Sequence, residues 1–203
     1  ILNSVYGLVT KFVTLITAFV TRTIFIKVLG LQYAGVQGVF SDILMVLSFA
    51  ELGIGSAITY ALYKPIAEND TLQIGKLMYV YKRIYTCIAG VVLLLGVCLV
   101  PCLPFIVKDV PDVQEDIRLI FLLYVVNSAA SYLLIYKSAF LTAAQKDYVV
   151  SKFKVVISLI SSILCCVVLL VFANFIAYLL LSISVNILQN YVIAKVAERE
   201  YPI

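Results

Sequence analysis

Four charged residues interrupt long apolar runs near the start of the chain: Lys11 and Arg22 in the first run, Asp42 and Glu51 in the second. A charge at the centre of a bilayer costs at least about 2.5–3.5 kcal/mol on the mildest insertion scale, so it persists where it is paired or has a task. The chemistry open to this set is electrostatic. Bases can hold an anionic ligand, and acids can gate a pathway or couple an ion. The chain has no His, and its five cysteines (Cys87, Cys98, Cys102, Cys165 and Cys166) sit in apolar runs without a CxxC pair. A thiolate–imidazole metal site and a Cys–His nucleophile are therefore excluded, and the thiols read as small hydrophobes. No catalytic residue, metal, cofactor or nucleic-acid partner is expected.

The elements that must position these charges are membrane helices. Of 203 residues, 64% are hydrophobic and 13% charged, against about 45–50% and 25% in soluble domains. Apolar runs long enough to cross a bilayer recur along the chain. The expectation is an all-α integral membrane protein, a six-transmembrane-helix bundle filling residues 1–203. Its spans are Tyr6–Val28, Gln37–Leu62, Ile84–Phe105, Ile117–Leu141, Val155–Phe172 and Phe175–Ala194, the last two turned tightly at Ala173–Asn174. Ile74, Leu77, Met78 and Tyr81 repeat at helical spacing beside Lys76, Lys82 and Arg83, which predicts an interfacial helix leading into the third span. The chain starts without Met and already inside an apolar run, which reads as a piece lacking a few N-terminal residues and much more at its C-terminus.

Basic residues set the orientation. Lys64, Lys76, Lys82 and Arg83 follow the second span, Lys137, Lys146, Lys152 and Lys154 surround the fourth loop, and Lys195 and Arg199 end the chain. The opposite side has Lys27, Lys108 and Arg118, with an acidic loop of Asp109, Asp112, Glu115 and Asp116. Both termini are accordingly expected on the cytoplasmic side.

On the first span Asn3, Thr10, Thr14, Thr17 and Thr21 share one stripe, with Lys11 and Arg22 beside it. Threonine hydroxyls packing against a neighbouring helix, with the bases snorkelling, is one reading; an inward-facing role is the other, and it is favoured for Arg22. A hairpin pivoting near position 32 brings Arg22 to the depth of Asp42, and Lys11 near that of Glu51. Asp42 and Glu51, nine residues apart, fall on opposite sides of a continuous helix. The expected gate is thus Arg22–Asp42, with Glu51 aimed at a hydrated cavity or another helix. Gly53, Gly55, Ser56 and Ala57 allow close helix approach, or bending. Asn127, Ser128 and Ser131 share a face of the fourth span with Tyr124, Tyr132 and Ser138, and Ser182, Asn186, Gln189 and Asn190 a face of the sixth. Arg22, Lys11, Asn127, Ser131 and Asn186 are candidate substrate-binding residues, and Asp42 and Glu51 candidate gate or coupling residues. The third and fifth spans, nearly wholly apolar, are expected to face lipid or serve packing.

Several segments together carry a family likeness. Arg22, the turn from Leu29-Gly30 to Tyr33-Gly35, Leu52-Gly53-Ile54-Gly55, Tyr63-Lys64-Pro65 and Tyr81-Lys82-Arg83 occur in order, followed by Lys137 to Tyr148 (KSAFLTAAQKDY) and the terminal EREYP run. In this order and spacing the chain resembles the N-terminal half of bacterial polysaccharide repeat-unit flippases, the O-antigen and exopolysaccharide transporters of the MATE-like multidrug/oligosaccharidyl-lipid/polysaccharide superfamily. The resemblance implies one six-helix bundle of a larger two-bundle transporter in the cytoplasmic membrane. It also implies an undecaprenyl-diphosphate-linked oligosaccharide as substrate, alternating access, Arg22 as a contact for the anionic lipid diphosphate or sugar, and a C-terminal bundle of the same protein as partner. A drug or cation antiporter of the same superfamily is the runner-up; a membrane-embedded glycan polymerase or ligase, which needs a large outer loop, and a structural bundle follow.

Overall fold

The computed structural model describes residues 2–51, 53–106 and 115–200, and every regular element among them is helical. Leu52, Lys108, Asp109 and Asp112, as well as the tail 201–203, lie outside the described residues. Helix α1 (Leu2–Leu29) turns at Gly30 into α2 (Leu31–Leu47); after a 3-10 turn at Ser48–Glu51 comes α3 (Ile54–Ala67). Then follow α4 (Thr71–Leu99), the short α5 (Leu103–Ile106), α6 (Ile117–Ala143), α7 (Asp147–Phe172) and α8 (Phe175–Glu200). Among the described residues five helices or helical stretches are long and apolar enough to cross a membrane: Val5–Leu29, Thr71–Ile106, Ile117–Ala143, Asp147–Phe172 and Phe175–Arg199.

Local chemistry explains the boundaries. Gly30 adopts φ 95, a region open to glycine at little cost, so the first hairpin turns on one residue. Asp70 caps α4 by accepting from the Gln73 N–H at 3.0 Å, and Asp116 caps α6 by accepting from the Arg118 N–H at 2.8 Å. Asn174 does the same for α8, its Oδ1 accepting from the Ala177 N–H at 2.9 Å, in the turn expected at Ala173–Asn174.

Two expectations need correction. The continuous span Gln37–Leu62 is broken: α2 ends at Leu47, Gly53 takes a left-handed φ of 86, and α3 begins at Ile54. A left-handed residue interrupts the hydrogen-bond ladder, and glycine is the residue that tolerates it. The segment around Ile74–Arg83 is not a separate interfacial helix. It forms the first turns of the 29-residue α4. Its apolar spacing serves tertiary packing, since Ile74, Met78 and Tyr81 are buried in a cluster with Tyr136, Phe140 and Ala143 of α6.

α6 is the hub, packing on α2, α3, α4, α7 and α8. It buries Ile120, Phe121, Val125, Ala129, Phe140 and Leu141 among these neighbours. α1 lies along α7, and the hydrogen bonds between them keep sequence separations of 141–145 throughout, so the two run parallel and in register. Asn3 donates to the Gln145 carbonyl at 2.8 Å, placing the start of α1 at the α6–α7 loop. The α3–α4 connection and the end of α8 lie at that same end, which gathers Lys64, Lys137, Lys146 and Lys195. At the other end Tyr33 donates to Glu115 at 2.5 Å and packs edge-on to Phe175.

Two large apolar cores occupy the two ends. One joins Ile58 and Leu62 of α3 to α4 and the later turns of α6. The other joins Phe25 of α1 and Ala34, Val36 and Phe40 of α2 to Phe121 and Val125 of α6, Leu169 of α7 and Phe175 and Leu179 of α8.

Candidate functional site

Arg22 lies eight residues before Gly30, and Gln37 seven after it. At 1.5 Å per residue both sit roughly 10–12 Å below the turn. Arg22 Nη1 donates to Gln37 Oε1 at 3.1 Å, and no ion pair joins Arg22 to Asp42 among the described residues. The expected Arg22–Asp42 pair is therefore corrected to Arg22–Gln37. The reason is the pivot: a one-residue turn at Gly30 shifts the hairpin register about one helical turn from a pivot near 32, and Asp42 moves deeper, to an exposed position on α2.

Two phenols complete this cluster. The Arg22 guanidinium and Gln37 amide lie beside the hydroxyls of Tyr124 on α6 and Tyr178 on α8. Tyr124 is 8% exposed, and its hydroxyl lies against Gln37 without a hydrogen bond of full geometry among the described residues. Phe40 packs on the Tyr124 ring at 5.9 Å, and Phe25 on that of Tyr178 at 5.2 Å, which fixes both phenols. A buried hydroxyl without a partner costs about 1–3 kcal/mol. The cluster offers guanidinium and phenol donors with no carboxylate among them, an arrangement suited to an oxyanion or a hydroxyl-rich ligand.

Glu51 sits where the second helix breaks. Its Oε1 accepts from the hydroxyl of Tyr85 on α4 at 3.1 Å, and Tyr132 of α6 addresses the same carboxylate. The two rings are stacked at 6.5 Å. Glu51 thus points to other helices, the second of the two alternatives for it. Gly55 leaves the room: a Cβ there would lie 3.3 Å from the Tyr85 hydroxyl and 4.0 Å from Glu51 Oε1. The small residues after Glu51 serve both close approach and the break.

A third polar group is an asparagine chain between α6 and α8. Asn186 Nδ2 donates to Asn127 Oδ1 at 2.8 Å, and Asn190 Nδ2 donates to Asn186 Oδ1 at 3.3 Å. Two candidate substrate residues, Asn127 and Asn186, are thus joined, with Asn127 one turn from Tyr124. Ser131 is not part of the group, because its hydroxyl donates to the Ser128 carbonyl of its own helix at 2.7 Å. Lys11 is exposed on α1, with no ion pair among the described residues.

The threonine stripe is a packing seam. Thr17 meets Ser158 at 3.3 Å and Thr21 meets Ser162 at 2.8 Å, with Thr10 on the Ser151 carbonyl at 3.4 Å. Helix α7, expected to be nearly featureless, supplies the matching serines. Ser151, Ser158 and Ser162 repeat the spacing of Thr10, Thr17 and Thr21, a signal the sequence carried. Gln37, Tyr85 and Tyr178 carried no such repeat, because what each meets lies on another element of the chain. No family model matches the chain, and neither a curated protein nor a solved structure does.

Proposed function

We propose that the chain forms a bundle of a multi-pass transporter that moves lipid-linked oligosaccharides, polysaccharide repeat units on undecaprenyl diphosphate, across the bacterial cytoplasmic membrane by alternating access. The observation that carries this reading is the state of Arg22, a guanidinium in an apolar span held by a neutral amide rather than a carboxylate. Its charge is unspent on an exposed face of α1, and within a bilayer it is best satisfied by an anion offering paired oxygens, as a diphosphate does. The phenols of Tyr124 and Tyr178 and the Asn127–Asn186 chain add donors and acceptors suited to sugar hydroxyls. In this reading α2 and α3 together make the sixth crossing, the lysine-rich end faces the cytoplasm, and a second bundle of the same protein supplies the other cavity wall. No enzymatic step is assigned. In a strain lacking the gene, lipid-linked repeat units should accumulate on the inner leaflet. The wild-type gene should clear them, and Arg22→Ala should not. A deletion strain without such accumulation refutes the proposal.

Glu51 favours a second reading, a drug or cation antiporter. A carboxylate held by phenols at a helix break suits coupling to a cation more than contact with a diphosphate. Organic-cation efflux that survives Arg22→Ala but is lost in Glu51→Gln would select it over the flippase.

A further inference from the structure

At the lysine-rich end a cavity of about 310 Å³ opens between the start of α4 and the ends of α6 and α8. Its floor includes Met78 and Phe140, and its walls carry Tyr79, Lys82, Tyr136 and Lys137. The position of these residues along their helices is informative. α4 has no charge from Ile84 to Ile106, α6 none from Leu119 to Tyr136, and α8 none from Phe175 to Ala194. Lys82, Lys137 and Lys195 stand at or next to the end of each charge-free run. The cavity therefore straddles the level where apolar helix gives way to charge, which in a bilayer is the headgroup region, where tyrosines also collect.

The charge at its rim is uneven. Glu198 has both carboxylate oxygens engaged, Oε1 by Lys137 and Oε2 by Lys195 at 4.0 Å. Arg83 stacks on Tyr79 at 5.5 Å and donates to its hydroxyl at 3.0 Å, which holds the guanidinium beside a residue of the cavity wall. Lys82 has no ion pair among the described residues. Of the charged residues that line the cavity, Lys82 and Lys137 are basic and Glu198 acidic; Glu198 is paired with Lys137, which leaves the Lys82 charge above the apolar floor.

We infer that this cavity is a binding site for the headgroup of an anionic phospholipid, with the phosphate on Lys82 and Arg83 and the glycerol and upper acyl carbons on Met78 and Phe140. A basic pocket between helices at headgroup level has the chemistry for this, and the floor distinguishes a lipid from a free phosphate. The inference is independent of the transported substrate and of which leaflet the lysine-rich end faces.

Native mass spectrometry of the full-length protein in detergent tests it. Phosphatidylglycerol, phosphatidylcholine, inorganic phosphate and glycerol phosphate are titrated separately. Phosphatidylglycerol should bind well ahead of phosphatidylcholine, and Lys82→Gln should weaken it about fivefold, the share of one lysine near a charged lipid surface. Lys152→Gln, an exposed lysine outside the cavity, should change nothing, and millimolar glycerol phosphate should fail to displace the lipid. Equal binding of the two lipids, an equal loss in Lys152→Gln, or displacement by a soluble phosphate would overturn the inference.

Discussion

Tyr85→Phe isolates the bond that ties the broken helix to its neighbours. Tyr85 is 2% exposed, and phenylalanine keeps its ring, so the change removes one hydroxyl and leaves packing intact. The lost bond is 3.1 Å long and accepted by a carboxylate. Bonds to charged groups are worth about 1.5–3 kcal/mol in water-soluble proteins, while couplings between membrane helices average about 0.6 and reach about 1.7. Glu51 is half-buried and keeps Tyr132 as a neighbour, so the membrane scale governs, near its upper end because the acceptor is charged. The expected loss is about 1–1.5 kcal/mol, or about tenfold in the folded-to-unfolded ratio. Glu51→Gln should cost a similar amount, and the double variant should cost less than the sum by about 1 kcal/mol. The assay is reversible unfolding by SDS in mixed micelles, followed by circular dichroism. Losses that add to within about 0.5 kcal/mol would show that the hydroxyl and the carboxylate are not coupled.

A Cβ at Gly96 would lie 2.4 Å from Cγ1 and 2.7 Å from Cγ2 of the fully buried Val125, so Gly96→Ala should destabilise the α4–α6 contact by about 1–2 kcal/mol after its gain in helix propensity. Adding Val125→Ala should restore part of that loss in the same unfolding assay, and independent losses would reject the close approach. For the first hairpin, Arg22→Gln and Gln37→Leu should prove non-additive in stability, whereas Arg22→Gln and Asp42→Asn should add to within about 0.5 kcal/mol; coupling in the second pair alone would reinstate the Arg22–Asp42 bridge.

How far the sequence reveals the bundle depends on range. Hydropathy located the five helical stretches that are long and apolar enough to cross a membrane, with the turn at Ala173–Asn174, because a bilayer demands a long apolar run and a turn demands a break in it. The Gln37–Leu62 run misled, because hydropathy cannot see a backbone angle: Gly53 at φ 86 breaks the helix without lowering its apolar content. The Arg22 partner was missed by one helical turn. Pairing across a hairpin amplifies the position of its pivot, and a pivot at Gly30 instead of 32 exchanges Asp42 for Gln37. The threonine stripe was legible on α1, and its serine counterpart was legible too once the two were compared. Tyr85 and Tyr178 became visible through the packing of α4 and α8, which sequence spacing does not encode.

The break in the second helix falls between the two cores, and this gives the cluster at Glu51 its mechanical meaning. α2 is anchored through Val36 and Phe40 in the core that contains Phe25, Phe121 and Phe175; α3 is anchored through Ile58 and Leu62 in the core that contains Tyr85, Tyr132 and Phe140. Neither core spans the break. Between them lie the 3-10 turn Ser48–Glu51 and the left-handed Gly53, whose torsions accept a change in direction more readily than a continuous α-helical ladder. Each half-helix is thus anchored in a different core, and both cores are carried by the one continuous α6. Glu51, bonded to Tyr85, belongs mechanically to the α3 core, whereas Arg22 and Gln37 belong to the α2 core. Arg22, bonded to α2, and Glu51, bonded to α4, are thus held on either side of the break. A ligand on Arg22 and a proton or cation on Glu51 would then act on opposite sides of that break.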